Sequence, residues 1–500
     1  MKTHFGNTLL TFLALVLLGT TLAAQQTTPP AQPDSNDATT TSASSPLFIP
    51  VLAASQARIV RLSDIQGTVQ IDRNTGQGFE KALLNLPITE GTTLRTASGL
   101  AEVEFEDDSS LRITPSTTIA FPQLELLNSG ATASTVNLRE GTVYVSLAGN
   151  KNKEFTLTFG SQKLTLMPSS HIRLHMGHTK AKLAVFNGKV QVQGPSGMTV
   201  VGKKKTLIFD LAGQNQPTLV KHVAQNVYDA GDQQQIDYHK KYAKSTPFGS
   251  LPYAYGVTDL NYYGSFVSAP GCDSLWRPFF ASASWDPYMN GAWAWYPASG
   301  YSWVSPYPWG WMPFHSGAWE FCPAYGWGWQ PGRSWVGLNN PPKPIKPPHG
   351  VPVPRPPLPP APGRPQLLAV NRAPLAVSTP TSPERFMIRN DSAGLGVPRG
   401  SLGSLSKLSS QVQQRGSVNL AVTSTGVSAA GEARTAGSAS VSSARSGSAS
   451  RPGSASYSHS SMAAARSSGG MGSGGAAGGM GHMGGGGGSM SSGGGGSAHR

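Results

Sequence analysis

Gly264, Gly291 and Gly317 stand 27 and 26 residues apart, and the same intervals separate the aromatic residues two places on, Phe266, Trp293 and Trp319. They also separate Trp276, Trp303 and Trp329, twelve places past each glycine. "WDPY" at Trp285–Tyr288 recurs 26 residues later as "WMPF" at Trp311–Phe314. A register held at several positions through three copies is an internal repeat. Each unit reads as two short strands: Gly-x-aromatic, a turn bearing Gly or Pro, a strand reaching Trp, and an exit through Trp-x-Pro-Tyr/Phe. The run "PWGWMPFHSGAW" (308–319) is the exit of the second unit and the entry to the third. Its prolines and glycines argue against a helix, and it is too interrupted to span a bilayer. One hairpin is marginal in water, so the units have to stack on one another.

The material for that core is indole. All eleven tryptophans fall between Trp276 and Trp335, and a large aromatic ring buries about 150–250 Å². At ~25 cal/mol per Å² that is several kcal/mol per ring. Eleven rings in sixty residues exceed what so small a core readily hides, so some are expected to face outward. Trp309, Trp311 and Trp327, each beside a glycine, are the candidates; exposed rings outside a cell stack on sugars or ligand cations.

From about 58 to 211 the pattern changes to short runs of period two, the mark of half-buried antiparallel strands. In "LAEVEFEDDSSLRI", Ala101, Val103 and Phe105 share one face and Glu102, Glu104 and Glu106 the other, which reads as solvated. "GTVYVSL", "FTLTF" and "HIRLHM" alternate likewise. In "KLAVFNGKVQVQ", Asn187-Gly188 suits a type I′ hairpin turn. The expected fold class is therefore all-β: an antiparallel β-sandwich or β-roll, then a three-unit Trp-rich hairpin module.

"LPITEGTTLRTASGLAEVEFEDDSSLRI", "LREGTVYVSL" and "KLAVFNGKVQVQGPSGMTVVGKKKTLIF" together resemble the FecR-type periplasmic domain over about 58–211. Where such proteins act as regulators, the resemblance implies a membrane-crossing anti-sigma arrangement. The stretch ahead of the apolar segment here is too short to hold a sigma factor, so what carries over is the β-domain as an extracytoplasmic interaction module. Residues 255–332 resemble an uncharacterised Trp/Tyr-rich bacterial domain often found after FecR-type domains, which implies no activity.

The remaining segments set compartment and reach. Lys2, an apolar run from about Leu9 to Leu18, and Ala23-Ala24 read as a signal peptide (1–24) cleaved near Ala24; the apolar core falls short of the ~20 residues of a spanning helix. A Ser/Thr/Pro linker (25–57) follows, and a polar connector (212–254) joins the two β-bodies. Outside the cytoplasm Cys272 and Cys322, the two cysteines, are expected to form a disulfide. Closing a loop of 50 residues would stabilise by about 4 kcal/mol in the chain-entropy picture. Past the Trp-rich module (255–338) come a polyproline spacer (339–366) and a Ser/Gly/Ala-rich basic tail (367–500) expected to be disordered. From Pro341 on, fifteen Lys and Arg face only Glu384, Asp391 and Glu432, which suits weak binding to an anionic surface but no specific nucleic acid.

Catalytic signatures are sparse. His171, His175 and His178 lack an adjoining carboxylate and read as surface residues rather than a metal site. "SLSK" (404–407) has the Ser-x-x-Lys spacing of a nucleophile but sits in the tail. There is no phosphate loop, dinucleotide fingerprint or HExxH, so no cofactor and no metal is expected. The chain thus reads as an exported, non-enzymatic protein of the cell envelope, periplasmic or surface-bound, taking a glycan or a protein partner. A FecR-like transmembrane sensor and an envelope hydrolase with an unrecognised site are the alternatives.

Overall fold

A computed structural model describes residues 58–194, 197–213, 216–243, 248, 251–297, 299–339, 344–345, 347–361, 368–371 and 385–421. The expected signal peptide, the linker and the tail beyond 421 lie outside the described residues.

The first body is two sheets sharing one long strand, Thr132–Ser146, whose halves pair in different sheets. The first sheet runs Pro87–Ile88, Val60–Gln66, Leu100–Glu104, Ser110–Ile113, the shared strand, His171–Met176, Lys180–Asn187, Lys205–Asp210 and Thr218–Val220. The second runs Glu80–Lys81, Val69–Asp72, Thr93–Thr96, Thr117–Leu126, the shared strand, Lys153–Phe159, Gln162–Leu166, Lys189–Gly194 and Gly197–Gly202. All pairings within these two sheets are antiparallel except that of Lys153–Phe159 with the shared strand. Val103, Leu111, Val145, Leu174 and Leu183 from one sheet join Ile119, Val136, Leu157, Leu164 and Val190 from the other in the buried core.

Asn187-Gly188 is not a hairpin turn. Lys180–Asn187 belongs to the first sheet and Lys189–Gly194 to the second, so the chain turns a corner between them. Gly188 takes φ +77° and lies against Ser170, where a Cβ would come within 2.7 Å of its Cα. Turn chemistry and alternation look the same whether a chain folds back or changes sheet.

Helix α1 (Asp229–Tyr242) occupies the connector, and α2 (Val257–Tyr263) opens the Trp-rich region. Three hairpins follow: Gly264–Ala269 with Cys272–Pro278, Asn290–Tyr296 with Gly300–Val304, and Ser316–Cys322 with Gly326–Trp335. The first and third meet at Trp276 and Trp329 in one four-stranded sheet. The second lies apart and gains Leu368–Asn371 as a third strand. Helix α3 (Met312–His315) leads into the third hairpin.

Within each hairpin the aromatic residue two past the glycine pairs across with the tryptophan twelve past it: Phe266 with Trp276, Trp293 with Trp303, Trp319 with Trp329. The glycines make room for those rings. A Cβ at Gly264 would overlap the Trp276 indole, and one at Gly291 would overlap Trp303. Gly317 departs from the other two: it sits at a bulge with φ +69°, against Gln330 O and the Trp329 ring.

The Cys272–Cys322 disulfide is formed, with Cα atoms 5.8 Å apart. The expectation of a disordered chain from 367 fails for residues 385–421. Arg385–Arg389 pairs with Ser417–Ala421, and α4 (Leu405–Arg415) lies between them. Leu405, Ser409 and Val412, at helical spacing, are buried. Ser404 of "SLSK" occupies the N-cap position of α4 without a side-chain capping hydrogen bond; its hydroxyl lies 3.2 Å from that of Ser406.

Candidate functional site

The site begins with the strand Leu100–Glu104. Period two sends Ala101 and Val103 into the sandwich and Glu102 and Glu104 to the other face, yet Glu102 is 2% exposed and Glu104 fully buried. The expectation of a solvated polar face fails because a second layer covers it. Cross-strand register lines up Glu102, Arg112, Tyr144 and Arg173 in a row over four strands, with Arg61 opposite Glu104. Helix α1 lays its acidic first turn on that row. Arg112 donates to Asp232 (2.6 Å), Arg173 and Tyr144 both donate to Asp229 (2.5 and 2.7 Å), and His171 Nε2 lies 2.7 Å from Asp232.

The Trp-rich region closes the same face. Arg61 reaches Glu104 at 2.9 Å and Asp259, on α2, at 2.7 Å. The Gly256 amide donates to Glu104 (2.8 Å), Asn85 donates to the Ser305 and Tyr307 carbonyls (3.0 and 2.6 Å), and Tyr296 donates to Pro87 O (2.6 Å). From the far end of the chain, Arg399 donates to both Asp259 oxygens (3.0 and 2.8 Å), to Glu102 (2.6 Å) and to Ser63 O (3.0 Å). His239 places Nδ1 2.7 Å from Asp108 and Nε2 3.2 Å from Glu102. Buried ion pairs are offset against heavy desolvation only when their hydrogen bonds are met. Here they are met by groups on three separate stretches of chain, so the seam specifies how those stretches dock.

Titration follows the geometry. Burial alone would lift Glu102, but Arg399, His239 and Arg112 outweigh it and hold that carboxyl well below its ordinary range. Burial alone would lower His239; Glu102 and Asp108 overcome it and push the imidazole up to about 10. For Glu104 burial wins over Arg61 and raises the carboxyl to about 7. Glu104, Asp108 and His239 bring ligand atoms within 4.8 Å of one another, a metal-like grouping. Each is already engaged, Glu104 by Arg61 and Gly256, Asp108 by His239, and the second His239 nitrogen by Glu102. The group is therefore a hydrogen-bonded ion network.

The three tryptophans expected outside are inside. Trp309 and Trp311 are fully buried and Trp327 is 5% exposed. The core holding them is larger than the sixty residues that carry the rings. Trp309 donates its indole N–H to Ala393 O (2.6 Å), in the segment expected to be disordered. Trp311 packs on Tyr255 and His315, and Trp327 on Phe321. Trp295 and Trp335 are instead the partly exposed pair. Nor do the three histidines cluster: His171 meets α1, while His175 pairs with Thr142.

Beside the seam opens a cleft of about 860 Å³ between the first body and the Trp-rich region. One wall carries Arg58, Asp107, Asn150, Asn152 and Lys153; the other carries Tyr253 and Trp335. Its charges are matched: Glu106 takes a two-point contact from Arg58 (2.6 and 2.8 Å), Asp107 pairs with Lys153, and Asp108 with His239. Only the sequence signal for half of this was available, in the acidic run 104–108; the aromatic wall gave none, because Tyr253 and Trp335 stand outside the repeat register.

Residues 92–191 match the family described as FecR protein, and residues 257–339 match a family of unknown function, DUF6600. No curated protein matches the chain. Two crystal structures described as "a putative anti-sigma factor from Parabacteroides distasonis ATCC 8503" are similar at 14% and 13% identity, with TM-scores of 0.25 and 0.23. The matches cover 28% and 33% of this chain and 64% and 70% of those chains. Likeness at that level carries no functional argument. No helix among the described residues is long and apolar enough to cross a membrane.

Proposed function

We propose, from the premise that a FecR domain is followed here by a DUF6600 region, that the chain is an exported, non-catalytic receptor of the bacterial envelope. Its two β-bodies act as one unit that takes an envelope component in the cleft between them. The observation that carries this reading is the buried seam: Arg61 and Arg399 each bind a carboxylate of the FecR domain and Asp259 of the DUF6600 region. A linkage that stiff fixes the walls of the cleft, and preorganised walls lower the cost of binding. Export is supported by the apolar start of the chain and by the disulfide, which persists in oxidising compartments. The absence of catalysis is supported by the cleft's carboxylates. Glu106, Asp107 and Asp108 are each held by a cation, which leaves none of the three poised as a general base.

The test is retention of the full chain on isolated envelope, compared with Thr132→Arg, which thrusts a long side chain into the cleft from its rim. Saturable retention that the variant loses is expected. Equal retention of both proteins would end the cleft reading. A sensor in the FecR manner is the second reading, favoured by the match over 92–191. It requires the apolar segment near Leu9–Leu18 to be kept as a tether, and a mature protein beginning at Gln25 would remove it.

A further inference from the structure

We infer that the ligand of this cleft is an uncharged saccharide, a deepening that rests on the receptor reading above. The cleft, about 860 Å³, falls within the span of small-molecule sites, about 300–1,000 Å³. Its chemistry is divided between two walls. On the other wall Tyr253, just ahead of the DUF6600 match, and Trp335 within it are both half-buried, with ring centroids 4.9 Å apart and planes at 84°. Trp335 lies 5.8 Å from Tyr255 and stacks on His315 at 5.3 Å, so the indole is fixed in place. Rigid aromatic faces offer large contact area at little entropic cost.

On the FecR side, Asn150 and Asn152 are exposed at the rim; the Asn150 oxygen accepts from the Asn152 backbone N–H at 2.9 Å, which leaves its NH2 and the Asn152 carboxamide turned to solvent. A carboxamide carries donors and an acceptor together, which suits hydroxyl groups that do both. The electrostatics exclude the other ligand classes. An anion would look for an uncommitted cation, but Arg58 already grips Glu106 and Lys153 already grips Asp107. A cation finds Glu106, Asp107 and Asp108 equally occupied. A wholly apolar ligand would strip water from the amides and ion pairs without replacing their hydrogen bonds. What fits is a molecule with an apolar ring face for Trp335, hydroxyls for the asparagines and no net charge.

The test titrates the full-length chain with neutral oligosaccharides, N-acetylglucosamine tetramer and maltotetraose among a panel, following heat and tryptophan emission, with inorganic phosphate as the anionic probe. Saturable binding of a neutral sugar is expected, with phosphate silent. Binding should weaken by about tenfold or more in Tyr253→Ala, as for the loss of an aromatic anchor, and vanish in Thr132→Arg. The second variant adds bulk at the rim and removes no core contact, so it reports on the cleft even if Tyr253→Ala misfolds. Phosphate binding, or sugar binding indifferent to Thr132→Arg, overturns the inference. If no sugar binds while envelope retention persists and is lost in Thr132→Arg, the ligand class is wrong and the receptor stands. If retention is also absent, both fall.

Discussion

In the FecR domain, Val103, Leu111, Val145 and Leu174 meet a second sheet of aliphatics across a common core. In the DUF6600 region, Trp276, Trp303 and Trp329 each lie on a glycine of their own hairpin. Trp276 donates to Leu260 O, Trp293 to Pro357 O and Trp329 to Ser316 O, while the buried indole nitrogens of Trp303, Trp311 and Trp319 have no hydrogen-bond partner among the described residues. The first kind of core asks only for volume and period-two patterning, and many aliphatics can supply them. The second asks for one residue type on each side of a contact, because a ring as wide as indole reaches the backbone only where no Cβ stands. The two regions thus differ less in how much they bury than in how narrowly each position is specified.

The most forceful way to break the comparison is to attack what joins the two regions. Arg399→Met leaves Glu102 and Asp259 buried with one fewer cation. The expected loss is about 3–5 kcal/mol in urea unfolding, as when one partner of a buried pair is removed. An unchanged midpoint would mean that the three stretches do not depend on one another. Next, Cys272→Ser with Cys322→Ser releases a bridge across 50 residues within the indole core alone, at a cost of about 2–4 kcal/mol. That loss should appear under oxidising conditions and vanish when wild type is reduced. Gly291→Ala follows at about 1–3 kcal/mol, because the new methyl overlaps Trp303. Its control, Leu183→Met in the aliphatic core, should cost less than about 1.5 kcal/mol. Equal penalties for the two would erase the contrast drawn above.

The smallest effect concerns pH. Glu104 is raised from the usual 4.5 to about 7 and His239 from 6.5 to about 10. Groups raised on folding contribute stability that is complete below their unfolded values and is lost as pH climbs through the folded ones. Glu102 is lowered, so its contribution is complete above the usual 4.5 and is lost as pH falls. Buried His315 is lowered from 6.5 to about 4, so its contribution is complete above 6.5 and is lost as pH falls, which offsets Glu104 across that interval. Thermal stability should therefore be highest in mild acid, between about 4.5 and 6.5, and decline above it. Glu104→Gln should flatten the decline on the neutral side of that peak. A wild-type maximum above pH 8 would contradict the assignment.

How much of this could be read beforehand varies by residue. The repeat was legible in the spacing of Gly264, Gly291 and Gly317, since it needs no knowledge of what lies outside the hairpin. The inward face of Leu100–Glu104 was legible from alternation. The cover over Glu102 and Glu104 was not, because His239 and Arg399 come from residues 137 and 297 places away, and local patterning carries no mark of so distant a partner. Trp309 was misplaced for the same reason: the carbonyl it meets, Ala393 O, belongs to a stretch whose composition resembles that of unstructured chain. One signal in that stretch is local. Leu405, Leu408, Ser409 and Val412 stand at helical spacing, the amphipathic stripe of α4.

Arg399 also has a bearing on biogenesis. A chain delivered amino end first presents Glu102 long before the guanidinium that completes its surroundings, 297 positions later. The sandwich can collapse around its aliphatics while still being delivered, since domains generally fold as units from the leading end. Arg61, Arg112 and His239 reach the acidic patch earlier, but its last cation arrives only when nearly four hundred residues have emerged. A transcript cut short anywhere before codon 399 would thus yield a product with an open flank, and quality-control proteases have a chemical basis for telling an unfinished copy from a finished one.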